Sequence, residues 1–130
     1  MAHVVVEYTA NIRAEAEVPK LLKAINDTLI AQGNVFPIGG IRSRALELAD
    51  YRMADGAADY AFVHVTLKIG AGRDPATKKR ACDAVFEAVK AHFAVLYSQR
   101  LLALSMELYE FDESGTYKHN NVHARFRKAN

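Results

Sequence analysis

Three arginines stand beside predicted turns, where their side chains could meet a ligand. Arg42 and Arg44 lie at the start of one predicted strand, and Arg73 follows the end of another. A guanidinium group is planar and makes paired, charge-assisted hydrogen bonds with carboxylates. Two arginines that converge on one pocket from different elements would therefore indicate a dianionic substrate. The alternative is that each arginine pairs with an Asp or Glu on the surface.

Arg73 occupies a position where α/β proteins tend to bind ligands. It lies between the carboxyl end of a predicted strand, residues 60–69, and a helix start at Asp74-Pro75. Ligands of such proteins often bind beside the carboxyl ends of strands. Gly70 and Gly72 permit backbone angles that a side chain would forbid. A carboxylate at the N-cap followed by proline is a strong signal for a helix start.

The other reactive side chains do not predict a metal or a bound cofactor. No histidine pairs with another His, a Cys or a carboxylate at a metal-ligand spacing, so a zinc site is not expected. The single cysteine, Cys82, falls on an apolar helix face and is expected to be a small core residue. The GAGRDP segment at residues 70–75 has the wrong spacing for a dinucleotide or phosphate-binding loop.

Length and composition favour one soluble domain over residues 1–130. Hydrophobic residues make up 51% of the 130 residues, which is typical of a globular protein. The net charge of +2 is too small to indicate nucleic-acid binding. No apolar run could span a bilayer, and one cysteine suits a reducing compartment, so we expect a cytoplasmic protein without a membrane partner.

Hydrophobic periodicity predicts two copies of a strand–helix–strand unit, over residues 3–49 and 61–110, followed by a polar tail, residues 114–130. The predicted order in each copy is a strand, an amphipathic helix and a second strand. In the first copy, Pro19 is expected in the first turn of the helix and Gly33-Asn34 at its C-cap. In the second copy, the helix is expected to run from Pro75 to about Leu96. Each helix must be a crossover that lies on the sheet, because hairpin turns cannot join parallel strands.

The sheet of such a fold has one face that the helices do not cover. Right-handed crossovers place both helices on the same face if a twofold axis within the sheet relates the two halves. The other face is predicted to mix aromatic, polar and charged side chains, which suits neither open solvent nor a dry core. We therefore expect a homo-oligomer in which sheets of several subunits face one another, with the tail clasping a neighbour. The predicted members of this face are Tyr60, Phe62, His64, Thr66 and Lys68, with Glu7, Glu47, Ser105, Glu107 and Tyr109.

Beyond these patterns, the chain resembles the 5-carboxymethyl-2-hydroxymuconate isomerase family of the tautomerase superfamily. The resemblance runs nearly from end to end and is strongest in five segments. They are GIRSR (Gly40–Arg44), RMADG (Arg52–Gly56), DYAFVHVTLKIGAGR (Asp59–Arg73), SQRLLALSMEL (Ser98–Leu108) and NNVHARF (Asn120–Phe126).

The resemblance implies an α+β fold with a duplicated βαβ unit, a four-stranded sheet with two helices on one face, and a trimeric assembly. It implies proton transfer without a cofactor on an unsaturated dicarboxylate such as 5-carboxymethyl-2-hydroxymuconate, in homoprotocatechuate catabolism. In this family an amino-terminal proline, exposed when the initiator methionine is removed, acts as the general base. Arg42 and Arg73 match the arginines that hold the substrate carboxylates.

This chain departs from the family at the base, because it begins Met1-Ala2-His3 and has no proline there. In one interpretation Met1 is removed and the primary amine of Ala2 is the base, with its pKa lowered by burial and nearby arginines. In the other, Met1 stays and the protein is a catalytically impaired trimer that binds diacids or has a structural role. A third interpretation, in which the basic tail binds nucleic acid, conflicts with the small net charge.

Overall fold

A four-stranded mixed sheet forms the centre of the structure, which is a computed structural model that describes residues 1–127. Its strands are β1 (Ala2–Thr9), β2 (Ile41–Leu48), β3 (Tyr60–Gly70) and β4 (Leu101–Phe111), in the spatial order β2-β1-β3-β4. The outer pairs β1/β2 and β3/β4 are parallel, and the central pair β1/β3 is antiparallel. The predicted duplication of a βαβ unit is thereby confirmed.

Helices form the crossover of each parallel pair. They are α1 (Val18–Ile30) in the first half, and α2 (Pro75–His92) followed by α3 (Ala94–Gln99) in the second half. The Asp74 side chain caps α2 by accepting a hydrogen bond of 2.8 Å from the Thr77 backbone N–H. This cap confirms the helix start predicted from Asp74-Pro75.

Two predicted helix ends are wrong. Helix α1 ends at Ile30, with Ala31 as its C-cap, while Gly33 adopts a positive φ of 76° in a separate short 3-10 turn. The second helix does not continue to Leu96, because Phe93 leaves helical geometry at φ −97° and ψ 9° and separates α2 from α3. Phe93 and Leu96 are both buried in the core, as the predicted apolar face of this segment requires.

The core lies between the helices and one face of the sheet. Alternate residues of β3 from Ala61 to Ile69 are buried, as the period-two pattern predicted. Helices α1 and α2 cover them with two stripes that have a spacing of four residues. The stripe residues are Leu21, Ile25 and Leu29 on α1, and Ala81, Val85 and Val89 on α2.

The opposite face of the sheet has no helix on it within residues 1–127. The strand register places His3 beside Lys68 and Lys68 beside Tyr109, all on this face. The residues predicted for this face are confirmed on β3. The prediction is also confirmed for Glu7, Ser105, Glu107 and Tyr109, which pair with those β3 residues across the strands. The prediction for Glu47 is wrong, because Glu47 pairs with Tyr8 and therefore lies on the helix-covered side. There its carboxylate is 3.2 Å from Arg13 Nε.

None of the helices in residues 1–127 is both long enough and apolar enough to cross a membrane.

Candidate active site

The start of the chain lies against the turn that leads into β2. Ala2 opens β1 and is paired with Ile41 on one side and Ile69 on the other, with none of its surface exposed. A methyl group at Gly40 would lie 3.2 Å from Met1 Cα and 3.8 Å from the Met1 nitrogen. The terminal amine is therefore held beside the residues that precede Arg42.

A cavity of about 780 Å³ opens at this point. Its walls are Met1, the turn residues 37 and 39–42, and residues 117–123 of the tail. A cavity of this size can hold a small organic molecule. The amino terminus, at Met1, and Arg42 thus share one cavity.

The surroundings of the amine are cationic. Burial lowers the pKa of the Met1 amine below the usual value for a chain terminus, and the nearby Arg73, Lys118 and Arg42 lower it further. Glu113 acts in the opposite direction and raises this pKa. An amine with a lowered pKa is unprotonated over more of the neutral range, which is what a general base requires.

Arg42 and Arg44 lie on the same, uncovered face of the sheet, but of the two only Arg42 lines the cavity. Arg42 lines the cavity and is exposed. Arg44 lies on the uncovered sheet face, where its Nη1 is 3.2 Å from His3 Nδ1. Burial lowers the pKa of His3, and nearby cations, Arg42 and Arg44 among them, lower it further. Of these two arginines, Arg42 is therefore the one placed to meet a ligand in the cavity.

Arg73 lies next to the amine, but its guanidinium group faces backbone carbonyls. Nε and Nη2 donate to the Val35 carbonyl at 3.1 and 2.9 Å, and Nη1 donates to the Gly70 carbonyl at 3.0 Å. The guanidinium also lies over the Phe36 ring, 4.7 Å from its centroid. Three of its five N–H groups are thus in use and two remain. The residues that line the cavity, all within 1–127, do not include Arg73.

The loop before Arg73 depends on one of its two glycines for its backbone shape. Gly72 has a φ of 121°, a region that residues with a side chain rarely adopt, whereas Gly70 does not have a positive φ. At Gly70 the constraint is space, because a Cβ there would lie 2.5 Å from Glu113 Oε1. Glu113 therefore lies against the same residue whose carbonyl holds Arg73.

The tail folds onto its own subunit and forms one wall of the cavity. The Asn120 side chain donates a hydrogen bond of 2.9 Å to the Gly39 carbonyl, and its oxygen accepts one of 2.8 Å from the Val122 N–H. His123 lies directly over Gly39, with its backbone nitrogen 2.8 Å from where a Cβ would be. The described part of the tail, up to residue 127, therefore closes the site of its own chain.

Lys118 is the cation that the tail brings to the cavity. It lines the wall formed by residues 117–123, and its ammonium group is 3.2 Å from the Glu113 carboxylate. The Lys118 side chain keeps 45% of its surface exposed. Sequence reasoning missed Lys118, Asn120 and His123 as site residues. The NNVHARF segment was the available signal for Asn120 and His123, since it is one of the five segments that carry the family resemblance, whereas Lys118 lies outside it.

The remaining candidate side chains lie away from this cavity. His64 is on the uncovered sheet face, 2.7 Å from Ser105 Oγ and 3.0 Å from Glu107 Oε1. Cys82 is half-buried and packs against the core, where burial raises the pKa of its thiol. Within residues 1–127, no three His, Cys, Asp or Glu side chains cluster in a way that could hold a metal ion.

Comparison with known proteins gives a consistent result. Residues 2–126 match the family model described as 5-carboxymethyl-2-hydroxymuconate isomerase. The chain is 50% identical over 127 residues to the 5-carboxymethyl-2-hydroxymuconate Delta-isomerase of Escherichia coli, covering 98% of this chain and all of that one. It is also similar to a crystal structure of a 5-carboxymethyl-2-hydroxymuconate isomerase from Deinococcus radiodurans R1, at 48% identity and a TM-score of 0.93, covering 98% of this chain and 95% of that chain.

More distant structures share the fold. One described as a fused 4-OT wild-type symmetric trimer has a TM-score of 0.58 at 20% identity, covering 90% of this chain and 93% of that chain. The near full-length family match and the 50% identity decide the relationship. The chain belongs to the 5-carboxymethyl-2-hydroxymuconate isomerase family.

Proposed function

We propose that the protein is a cofactor-independent isomerase that moves a proton on an unsaturated, multiply charged carboxylic acid of the 5-carboxymethyl-2-hydroxymuconate type, in aromatic-acid breakdown. The observation that carries the proposal is the placement of the amino terminus and Arg42 in one cationic cavity. The 50% identity to a relative named as that Delta-isomerase supports the same substrate class.

The reaction requires one base and a positive environment. The base removes the proton of the 2-hydroxyl group, and the electron pair spreads over the conjugated diene to give a dienolate. The proton then returns to the carbon at the far end of the diene, which leaves a ketone conjugated with the remaining double bond. Cations near the developing negative charge stabilise it more than they stabilise the neutral enol.

The proposed base is the primary amine of Ala2 after removal of Met1. Ala2 is fixed by pairing with Ile41 and Ile69, so an amine at this position would be held rigidly at the cavity end of β1. Burial and three nearby cations lower the pKa of the Met1 amine, and an amine at Ala2 would lie next to the same cations. A primary amine is a weaker base than the secondary amine of proline, so we expect slower turnover than a proline terminus would give.

Arg42 and Arg73 have different proposed roles. Arg42 lines the cavity and binds a substrate carboxylate directly. Arg73 holds the Val35 and Gly70 carbonyls beside the cavity, and its charge favours both the unprotonated base and the dienolate. Arg73 therefore combines a positioning role with an electrostatic one.

The uncovered sheet face supports a homotrimer. Large apolar side chains lie on it beside charged ones, with Leu46 52% exposed and Tyr109 50% exposed. Isolated subunits rarely expose such a face, and association of subunits would bury it. A structure with the same fold is described as a symmetric trimer.

An alternative is that Met1 is retained and the protein binds multiply charged acids without turning them over. The feature that favours it is that residue 2 is Ala, where the family has the amino-terminal proline that acts as the base. In that form the Ala2 nitrogen is a peptide amide and cannot act as a base.

Arg42→Ala tests the proposed function. Ultraviolet absorbance would follow the loss of the enol of 5-carboxymethyl-2-hydroxymuconate in chain that starts at Ala2, with the uncatalysed rate subtracted. Losing a charge-assisted pair should lower kcat/KM by about 10- to 100-fold. Arg13→Ala is the matched control, because Arg13 is 77% exposed and pairs with Glu47 on the helix-covered side of the sheet. Equal activity of Arg42→Ala and wild type would contradict the proposed site.

A further inference from the structure

We infer that Lys118 binds a third carboxylate of the substrate, which makes the tail a specificity-determining part of the site. The inference rests on the proposed function and extends it. It names which substrate charge the tail recognises.

The charge of the substrate provides the first argument. Muconate is a dicarboxylate, and its 5-carboxymethyl substituent adds a third carboxyl group. One cavity-lining arginine cannot neutralise three carboxylates, and Arg73 has already committed three N–H groups to the Val35 and Gly70 carbonyls. A further cation in the cavity wall is therefore needed for full charge complementarity.

Lys118 is in the right place to supply that charge. It lines the same cavity as Met1 and Arg42, on the wall formed by the tail rather than by the sheet. Asn120 fixes this wall through its hydrogen bond of 2.9 Å to the Gly39 carbonyl. The ammonium group thus approaches the cavity from a different element than Arg42 does, as two separate carboxylates of one substrate would require.

The present partner of Lys118 is replaceable. The Glu113 carboxylate is 3.2 Å away, and the Lys118 and Glu113 side chains remain 45% and 56% exposed. An ion pair with such exposure contributes little to stability. A substrate carboxylate offers the same chemistry as the Glu113 carboxylate, so Lys118 can exchange one for the other at small cost.

The test is Lys118→Met with three enols that carry one, two and three carboxylates: phenylenolpyruvate, 2-hydroxymuconate and 5-carboxymethyl-2-hydroxymuconate. All would be measured on chain that starts at Ala2. We expect Lys118→Met to lower kcat/KM for the tricarboxylate by about tenfold or more, mainly through KM, and to change the value for the monocarboxylate by less than about threefold. Lys118→Arg should keep most of the preference for the tricarboxylate.

Lys79→Met is the matched control. Lys79 is an exposed lysine that is 3.1 Å from Asp83 on the outer side of α2, so this variant removes the same charge and a comparable ion pair outside the cavity. Equal losses in Lys79→Met and Lys118→Met would overturn the inference, since they would reflect net charge alone. Equal losses across the three substrates in Lys118→Met would also overturn it.

These outcomes differ from a failure of the proposed function. If the wild-type chain turns over none of the three enols, that function is wrong, and the same compounds can then be titrated calorimetrically as ligands. In that case a Lys118→Met variant that binds the tricarboxylate about tenfold more weakly than wild type does would still support the inference. Unchanged affinity would overturn it.

Discussion

The position of the free amine should control activity. Two forms of the chain can be released from the same fusion protein, one that starts at Met1 and one that starts at Ala2. Only in the second is the Ala2 nitrogen an amine. We expect the form starting at Ala2 to have the higher kcat/KM for 5-carboxymethyl-2-hydroxymuconate.

The size of the effect follows from strand geometry. Ala2 is the first residue of β1, so retaining Met1 moves the amine by one residue, about 3.3 Å along an extended chain. A displacement of about 1 Å can cost about 10²-fold in rate. Loss of a general base costs about 10²- to 10⁴-fold. We therefore expect a difference of at least about 10²-fold between the two forms.

Ultraviolet assays with mass-verified samples of both forms would measure this difference. The form that starts at Ala2 should also gain kcat/KM as pH rises and reach a plateau, because the amine must lose its proton to act as a base. Burial and the surrounding cations should place the midpoint below the ordinary pKa of a chain terminus. Ala2→Pro, processed in the same way, is the positive control. Equal activity of the Met1 and Ala2 forms would refute the assignment of the base.

Three further predictions concern the residues around the amine. Gly39→Ala should lower kcat/KM and increase protease cleavage of the tail, because the new methyl group would lie 2.8 Å from the His123 backbone nitrogen. Gly115→Ala is the control, because no atom lies within 4 Å of the methyl group that it would add. Burial and nearby cations lower the pKa of His3, so the folded state resists its protonation and loses stability as the pH falls below about 6.5. In urea unfolding, the free energy of unfolding of His3→Gln should therefore fall less between about pH 7 and pH 5 than that of the wild type. Arg73→Lys keeps the charge but loses the paired hydrogen bonds and the aromatic contact, and should lower the free energy of unfolding by about 1–3 kcal/mol in the same assay.

The sheet could be predicted because its residues alternate so regularly. In β3 the small and branched apolar residues fall on one face, and this face is buried along the strand from Ala61 to Ile69. The helix start at Asp74-Pro75 was equally predictable, because its signal is local. Glu47 was misplaced because its face depends on the register between β1 and β2, which the residues of β2 alone do not determine.

The site was predictable only in part. Arg42 could be placed from the turn before it, whereas the direction of the Arg73 side chain depends on the Val35 carbonyl, 38 residues away in sequence. The contribution of the tail was missed for the same reason. Asn120 donates a hydrogen bond to the carbonyl of Gly39, which is 81 residues away in sequence. The tail has no periodic pattern from which such a contact could be predicted.

Because β1 and β3 are antiparallel, the two halves of the chain run in opposite directions along the sheet. The beginning of β3 at Tyr60 therefore lies at the opposite end of the sheet from Ala2, and Arg100 stands just before its partner strand. At that end of the sheet the chain is continuous through Tyr60 and has no amino terminus. Arg100 forms ion pairs there with Asp59 at 2.7 Å and Glu15 at 3.6 Å. The internal symmetry thus repeats the architecture without repeating the free amine. Each copy of the protein has one free amino terminus, and a circular permutation that joins the present termini and opens the chain before Tyr60 would move this amine to the other end of the sheet.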